Sequence, residues 1–308
     1  MKKIFTLVIA SLFALPCLAQ IGATDIETFA KTVAGEQTKA DTTYWVRGGV
    51  GALNLSQASF TNWAAGGDPS IAFDAGVNYF INYMQGRRLW TNRLELAYGL
   101  NTSDTNGTRK TNDKIYLSSN YGYLIVPKLY ASAILTFNTQ FDKGYDYKVS
   151  STDYLSKFMA PGYLSVGVGV TWIPKPWFTL TFSPASWRGT FVEDDKLSAE
   201  GAYGVDPGKR FLNEFGANVK AEVNTPLWSI LSLYTRLELY SNYLKDPQNI
   251  DIRWDIQLNL ALTKWLTANL YVNMLYDDDV KFKDEAGNIR GSRFQVKEVA
   301  GIGFQVKF

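Results

Sequence analysis

Hydrophobic and polar residues alternate one by one along most of the chain after residue 44. From Ile71 to Tyr83 every second residue is apolar, and polar or small residues fall between them. Successive side chains of a β-strand point to opposite faces, so a period of two predicts strands with one apolar and one polar face. The pattern recurs over 90–101 and most regularly over 250–262. We therefore expect an all-β chain.

The same alternation predicts about twelve antiparallel strands. They lie near residues 45–57, 70–84, 88–102, 114–126, 129–142, 161–173, 177–187, 210–224, 229–243, 250–263, 265–277 and 292–308. Each is at least as long as the roughly 9 to 11 residues that a tilted strand needs to cross a bilayer. An even strand number is typical of single-chain bacterial outer-membrane barrels. The predicted fold is an antiparallel transmembrane β-barrel.

The predicted connections alternate between short and long. Links such as Gln85-Gly86 and Thr225-Pro226 are brief, whereas 103–113, 143–160 and 188–209 are extended. Outer-membrane barrels have brief periplasmic turns and longer outer loops, which predicts that both termini are periplasmic. Tryptophans cluster near the brief turns or the start of the barrel, where indole rings favour a membrane interface. They are Trp45, Trp90, Trp172, Trp177, Trp228 and Trp265.

A soluble β-sandwich or a lipocalin-like barrel is the main alternative fold, because its strands also alternate. In those folds the apolar face packs inward and the polar face meets water. The predicted strands are long for a sandwich, in which about five or six residues are usual. Their polar face mixes small residues with charges of both signs, which suits a crowded lumen better.

The N-terminus predicts a secretory signal. Lys2 and Lys3 precede an apolar run, and a small-residue site ends at Ala19, which gives a signal peptide over 1–19. Lipid attachment at Cys17 is an alternative that Pro16 disfavours. Residues 20–43 form a polar periplasmic leader, either one short helix or a mobile segment, and the barrel occupies 44–308.

Composition narrows the functional classes. Charged residues make up 19% of the chain, the formal net charge is +2, and there is no histidine. Scattered Lys and Arg disfavour nucleic acid as a partner. Without histidine the commonest general base and metal ligand are missing. We expect no enzyme and no cofactor, although a hydrolase that uses only carboxylates such as Glu214 and Glu222 is conceivable.

Charged residues on the polar faces are candidates for lining a lumen. They are Arg47, Asp74, Arg93, Glu95, Glu214, Lys220, Glu222, Arg236, Glu238, Asp251, Arg253, Asp255, Arg293 and Lys297. One interpretation is that they neutralise each other in a filled barrel, because an unpaired dry charge is costly. The other is that they tune a pore or a solute site. Their balanced signs predict weak ion preference.

Two loop segments carry weaker signals. The outer-loop motif Asn62, Trp63, Gly66 and Gly67 combines turn glycines with an indole that suits a lumen constriction, a sugar or simple interface anchoring. The acidic run 277–279, followed by two further acids, has oxygen ligands for calcium but lacks EF-hand spacing. A solvated acidic hairpin explains it equally well, so we predict no metal site.

The segment from Leu53 to Gly67, and Ser56 to Gly67 in particular, resembles a Bacteroidetes outer-membrane family of unknown function, domain of unknown function 3078. The resemblance extends over about Trp45 to Phe308. It implies an outer-membrane barrel and supplies no substrate or site residue. The last residues, ending at Phe308, resemble the C-terminal signal read by barrel-assembly machinery, which implies that machinery and outer-membrane lipid as partners.

The leading functional hypothesis is therefore a channel or transporter for a small solute in the bacterial outer membrane. The alternative is a closed structural or interaction barrel whose outer loops bind a partner. An open lumen would favour the first hypothesis and a closed lumen the second.

Overall fold

The computed structural model describes residues 44–59, 68–147, 150–263, 265–277 and 291–307. The predicted signal peptide and leader, the motif at Asn62, Trp63, Gly66 and Gly67, and most of the acidic run lie outside these residues. None of the helices in the described ranges is long and apolar enough to cross a membrane.

Twelve strands form one closed antiparallel barrel, as predicted. In chain order the strands are β1 (Trp45–Ala58), β2 (Ser70–Gln85), β3 (Arg88–Ser103), β4 (Gly107–Val126), β5 (Leu129–Thr139), β6 (Gly144–Tyr145), β7 (Tyr154–Ser156), β8 (Gly162–Lys175), β9 (Phe178–Phe191), β10 (Phe211–Pro226), β11 (Leu231–Asn242), β12 (Ile250–Ala261), β13 (Leu266–Tyr276) and β14 (Gln295–Lys307). Strands β6 and β7 form a separate two-stranded sheet. Each barrel strand pairs with its neighbours, and β14 closes the ring against β1.

The barrel has a polar interior and an apolar exterior. Leu55, Ile71 and Phe304 are 69%, 58% and 58% exposed, whereas Asn78 and Asp255 are each 3% exposed. A soluble barrel would bury the first group and expose the second. The arrangement therefore contradicts the lipocalin-like alternative, because an apolar outer surface of this extent is stable only against another apolar phase.

The two ends of the barrel differ. At the turn end, where β1 begins and β14 ends, short connections such as Gly86-Arg87 and Pro127-Lys128 join the strands. At the opposite loop end, longer segments include the β6–β7 hairpin and a short helix α1 (Asp195–Ala199). The six tryptophans noted in the sequence are exposed and lie at or near the turn end. Trp265 stacks on Phe304, with ring centroids 5.4 Å apart.

One loop-end connection is shorter than the sequence predicted. Strand β4 begins at Gly107, so a turn of three residues, 104–106, replaces the expected loop 103–113. The register between β3 and β4 shifts at Gly99/Leu100, where Asn112 and Lys110 are their partners. The extra residue of this bulge shifts the phase of the apolar–polar alternation. For this reason the sequence of 107–113 does not show the alternation expected of a strand.

Candidate functional site

Strand register brings inward charged residues into adjacent rows. In one row Lys220, Glu238 and Arg253 are successive cross-strand partners on β10, β11 and β12. In the next row Glu222, Arg236 and Asp255 are partners in the same way. Because directly opposed residues of an antiparallel pair point to the same face, all of these side chains enter the lumen.

Eleven of the sequence-predicted lumen residues lie on inward positions. They are Asp74, Arg93, Glu95, Glu214, Lys220, Glu222, Arg236, Glu238, Asp251, Arg253 and Asp255. Lys297 is the cross-strand partner of the inward residue Asn273.

Two candidates require correction. Arg47 pairs with Ile81 on the outward face and is exposed, in phase with Trp45. The neighbouring glycines, Gly48 and Gly49, carry no side chain from which the phase of β1 can be read. Arg293 is exposed and precedes β14, so it lies outside the barrel wall.

A layer of paired charges lies in the middle of the lumen, and we call it the central layer. Its members are Arg93, Glu95, Lys114, Tyr116, Lys220, Glu222, Tyr234, Arg236, Glu238, Asp255 and Tyr271. Lys114 Nζ lies 2.5 Å from Glu95 Oε2, and Lys220 Nζ lies 3.3 Å from Glu222 Oε2. Each basic group in the layer has an acidic neighbour, so the layer carries balanced charge.

Asp255 is the most highly coordinated carboxylate of this layer. Its Oδ2 accepts hydrogen bonds from Arg236 Nε at 3.1 Å and Nη2 at 2.8 Å. Its Oδ1 accepts from Tyr271 Oη at 2.6 Å and Asn273 Nδ2 at 2.7 Å. Such complete pairing is what allows a buried charge to be tolerated.

Within the central layer, cation–π contacts connect side chains from opposite walls of the lumen. The Arg93 guanidinium lies 5.7 Å from the ring centroid of Tyr234, and that of Arg236 lies 5.1 Å from the centroid of Tyr116. Arg93 is on β3 and Tyr234 is on β11, six strands away around the twelve-stranded ring. These side chains therefore meet from opposite walls and constrict the passage.

Cavities lie on both sides of the central layer. On the turn side, a cavity of about 120 Å³ is lined by Phe80, Tyr130 and Thr171 as well as layer residues. On the loop side, two cavities of about 220 and 280 Å³ lie beside each other. The lumen is thus divided rather than filled along its whole length.

Residues 154–160 and 192–205 at the loop end form a cap beside the larger cavities, which we call the loop cap. Its apolar core consists of Ala160, Val192, Leu197 and Val205. Tyr203 of this cap lines the cavity of about 220 Å³. Covering this end narrows the access from outside to the loop-side cavities.

Asp194 connects the two segments of the loop cap. It caps α1 by accepting from the Leu197 amide, and it pairs with Lys157 Nζ at 2.6 Å. Burial alone would raise the pKa of Asp194, but hydrogen bonds from Lys157, the Leu197 amide and Tyr154 outweigh burial and lower the pKa to about 2. The Asp194 carboxylate is therefore ionised at neutral pH in the folded cap.

Sequence reasoning missed the inward cations Arg188 and Lys114. Arg188 donates from Nε and Nη2 to Glu214, at 2.7 and 2.6 Å, and from Nη2 to Asp251 at 2.9 Å. It was expected in a loop, but β9 continues to Phe191 after a register shift against β10. Lys114 was also missed, although its cross-strand partner Ala97 follows the inward residue Glu95 by two positions.

No group of three or more His, Cys, Asp or Glu side chains that suits a metal ion occurs within the described ranges. The two carboxylates considered for hydrolysis are both engaged in ion pairs. Glu214 binds Arg188, and Glu222 binds Lys220. Neither carboxylate is arranged opposite the other as a catalytic pair.

One family model and several solved structures show similarity to this chain. Residues 55–145 match a family described as a protein of unknown function, DUF3078. A search of curated proteins found no significant match. Among solved structures, the NanC porin is similar, with 11% identity and a TM-score of 0.39, covering 84% of this chain and 100% of that one.

An outer membrane channel from Pseudomonas putida F1 is also similar, with 10% identity and a TM-score of 0.39, covering 88% of this chain and 98% of that one. The translocator domain of the autotransporter NalP from Neisseria meningitidis has 10% identity and a TM-score of 0.35, covering 91% and 95%. No residue role is transferred from any of these structures.

Proposed function

We propose that this chain spans a bacterial outer membrane and passes a small polar solute through its lumen. The observation that carries the proposal is the division of a polar lumen into cavities on both sides of one central layer. A solute has to displace that layer to pass between the cavities on its two sides. The apolar exterior supports a location in lipid, where every backbone group must be paired as it is in a closed barrel.

The orientation and the route to the membrane form part of the proposal. Longer connections at the loop end favour an outer position for that end, which leaves both termini in the periplasm. The signal peptide, the Bacteroidetes source and recognition by barrel-assembly machinery follow from the sequence arguments above. We propose no catalytic activity, and outer-membrane lipid as the surrounding partner.

The central layer is the proposed constriction, and Tyr116 is the residue that tests it. Its ring contacts the Arg236 guanidinium and the Lys114 ammonium, the latter at 5.3 Å. Its hydroxyl makes no hydrogen bond to the described residues, so Tyr116→Ala leaves no buried hydrogen-bond partner behind. We expect steady conductance of wild type in planar bilayers, and a severalfold larger conductance of Tyr116→Ala because the constriction widens.

Tyr121→Ala is the matched control, because Tyr121 lies on the same strand but faces outward and is 42% exposed. Its conductance should equal that of wild type. If folded wild type and folded Tyr116→Ala are both silent, the channel proposal is wrong.

The closed structural barrel is the second candidate. It is favoured by the ion pairing of the central layer and by the loop cap over the loop end. Silent bilayers together with a well-folded barrel would support it.

A further inference from the structure

Arg253 is an inward cation that lacks an acidic partner in the described part of the chain. The basic residues that line the lumen beside it each have an acidic partner, and these are Arg93, Lys114, Arg188, Lys220 and Arg236. The Arg253 side chain makes no ion pair or hydrogen bond within the described ranges of the chain. Its cross-strand neighbour Glu238 is directed to Arg236 instead, at 3.8 Å. A guanidinium in a lumen therefore has five donors left for another group.

Arg253 lies where the two loop-side cavities meet. The residues that line both cavities are Tyr116, Asn138, Tyr163, Arg253 and Leu275. Tyr116, Asn138 and Tyr163 are successive cross-strand partners on β4, β5 and β8, so they form one row on the lumen wall. Arg253 reaches the same junction from β12.

The polar groups of this row are also unused. The hydroxyls of Tyr116 and Tyr163 and the amide of Asn138 make no side-chain hydrogen bond to any described residue. All three groups can donate, as the guanidinium does. Asp255 in the central layer differs from these groups, because its two oxygens accept four hydrogen bonds. Four unused donor groups that line one junction favour an anionic acceptor.

We propose that this junction binds the carboxylate of a small solute, with Arg253 as the charged anchor and Tyr163, Tyr116 and Asn138 as further donors. The inference rests on the proposed function, because it names the class of solute that the lumen admits. A guanidinium matches one carboxylate through two parallel hydrogen bonds.

A doubly charged phosphate is disfavoured by the surrounding acids. Glu238, Asp251 and Asp277 line the cavity of about 220 Å³ into which Arg253 faces. One unpaired cation beside these carboxylates can compensate a single negative charge, and a second charge would be repelled. The cavities on either side of the junction leave space for the remainder of the solute.

Calorimetric titration of the full detergent-solubilised barrel tests the proposal with two matched probes. Gluconate carries a carboxylate, and sorbitol has the same carbon number without charge. We expect gluconate to bind and sorbitol to produce no binding heat. Arg253→Gln should weaken gluconate binding by about tenfold to a hundredfold, as expected for loss of a charge-assisted hydrogen-bond pair.

Two further variants provide a second test of the site and a matched control. Tyr163→Phe removes only a hydroxyl and should weaken gluconate binding by severalfold. Arg47→Gln makes the same chemical change as Arg253→Gln on an outward residue at the turn end, and should bind as wild type does. Folding of each variant is checked by heat-dependent mobility on gels.

Several results would overturn the carboxylate site. These are absence of gluconate binding, equal binding of sorbitol, unchanged affinity in folded Arg253→Gln, or tighter Arg253-dependent binding of inorganic phosphate. Binding in solution is independent of conductance. A barrel that binds gluconate through Arg253 but is silent in bilayers would therefore reject the channel while retaining the site.

Discussion

Arg236 Nη2 lies 2.8 Å from Asp255 Oδ2 in the lumen, and the two side chains are only 8% and 4% exposed. A buried ion pair of this kind is tolerated because its desolvation is compensated by additional hydrogen bonds. Tyr271 and Asn273 supply them on the second carboxylate oxygen. The pair thus joins β11, β12 and β13 inside the barrel.

Removing the carboxylate of Asp255 should destabilise the barrel strongly. Asp255→Ala leaves the more distant Glu238 as the acidic neighbour of the Arg236 guanidinium, so we expect a loss of about 3 to 5 kcal/mol in the free energy of unfolding. Urea unfolding in lipid vesicles measures it. Asp195→Ala is the control, because Asp195 is 92% exposed and its ion pair is with exposed Arg210. Equal unfolding free energies for both variants would contradict the structural role of the buried pair.

The sequence predicted the strands well because a barrel wall imposes the same alternation on every strand. The bounds of β2 and β3, for example, agree with prediction to within one residue at each end. Failures occur where the alternation changes phase. The bulge near Gly99 is the reason that the start of β4 was not predicted. The register shift between β9 and β10 is the reason that Arg188 was expected in a loop. A bulge depends on backbone fit between two strands, which a single strand's pattern does not contain.

Individual ion pairs were less predictable than inward positions. Alternation places Arg236 and Asp255 inside, but their pairing requires the register between β11 and β12. The contact of Arg93 with Tyr234 requires, in addition, closure of the whole ring. Long-range geometry of this kind leaves no local signal in the sequence.

Gly169 should tolerate no side chain. A Cβ atom at this position would lie 2.0 Å from the carbonyl oxygen of Phe182, at the register shift between β8 and β9. Gly169→Ala must therefore displace backbone, and we expect a marked fall in refolding yield and a lower unfolding midpoint in urea. Gly122→Ala is the matched control, since its nearest neighbour is a side-chain atom of Tyr130 at 3.3 Å. Similar behaviour of the two variants would show that the close approach is absent.

The loop cap should open in acid. The folded pKa of Asp194 is about 2, below the ordinary value of 3.8. A lowered folded pKa means that the carboxylate stabilises the cap above pH of about 4, and that this contribution is lost as pH falls through about 2. Hydrogen exchange of residues 192–205 should therefore be slow at pH 5 and accelerate, after correction for intrinsic rates, near pH 2.5.

Asp194→Asn should remove much of this pH dependence and weaken the cap already at pH 7, which trypsin cleavage at Lys157 or Lys196 would reveal. Asp195→Asn is the control one residue away, because its side chain is 92% exposed. Faster cleavage of the Asp195 variant than of the Asp194 variant would contradict the assignment.

The outward face of the barrel provides the most direct test of a lipid environment. Val77 is 39% exposed in the middle of β2, and Ile71 is 58% exposed near the loop end of the same strand. For a barrel in lipid, Val77→Arg should cost about 2 to 4 kcal/mol in vesicle unfolding, and Ile71→Arg about 0 to 1, because the cost of a charge depends on depth. On a barrel surrounded by water, both are surface substitutions and should change stability by about 0.5 kcal/mol or less. Equal, small effects at the two positions would therefore exclude the membrane orientation, since water would then reach the middle of the outward face.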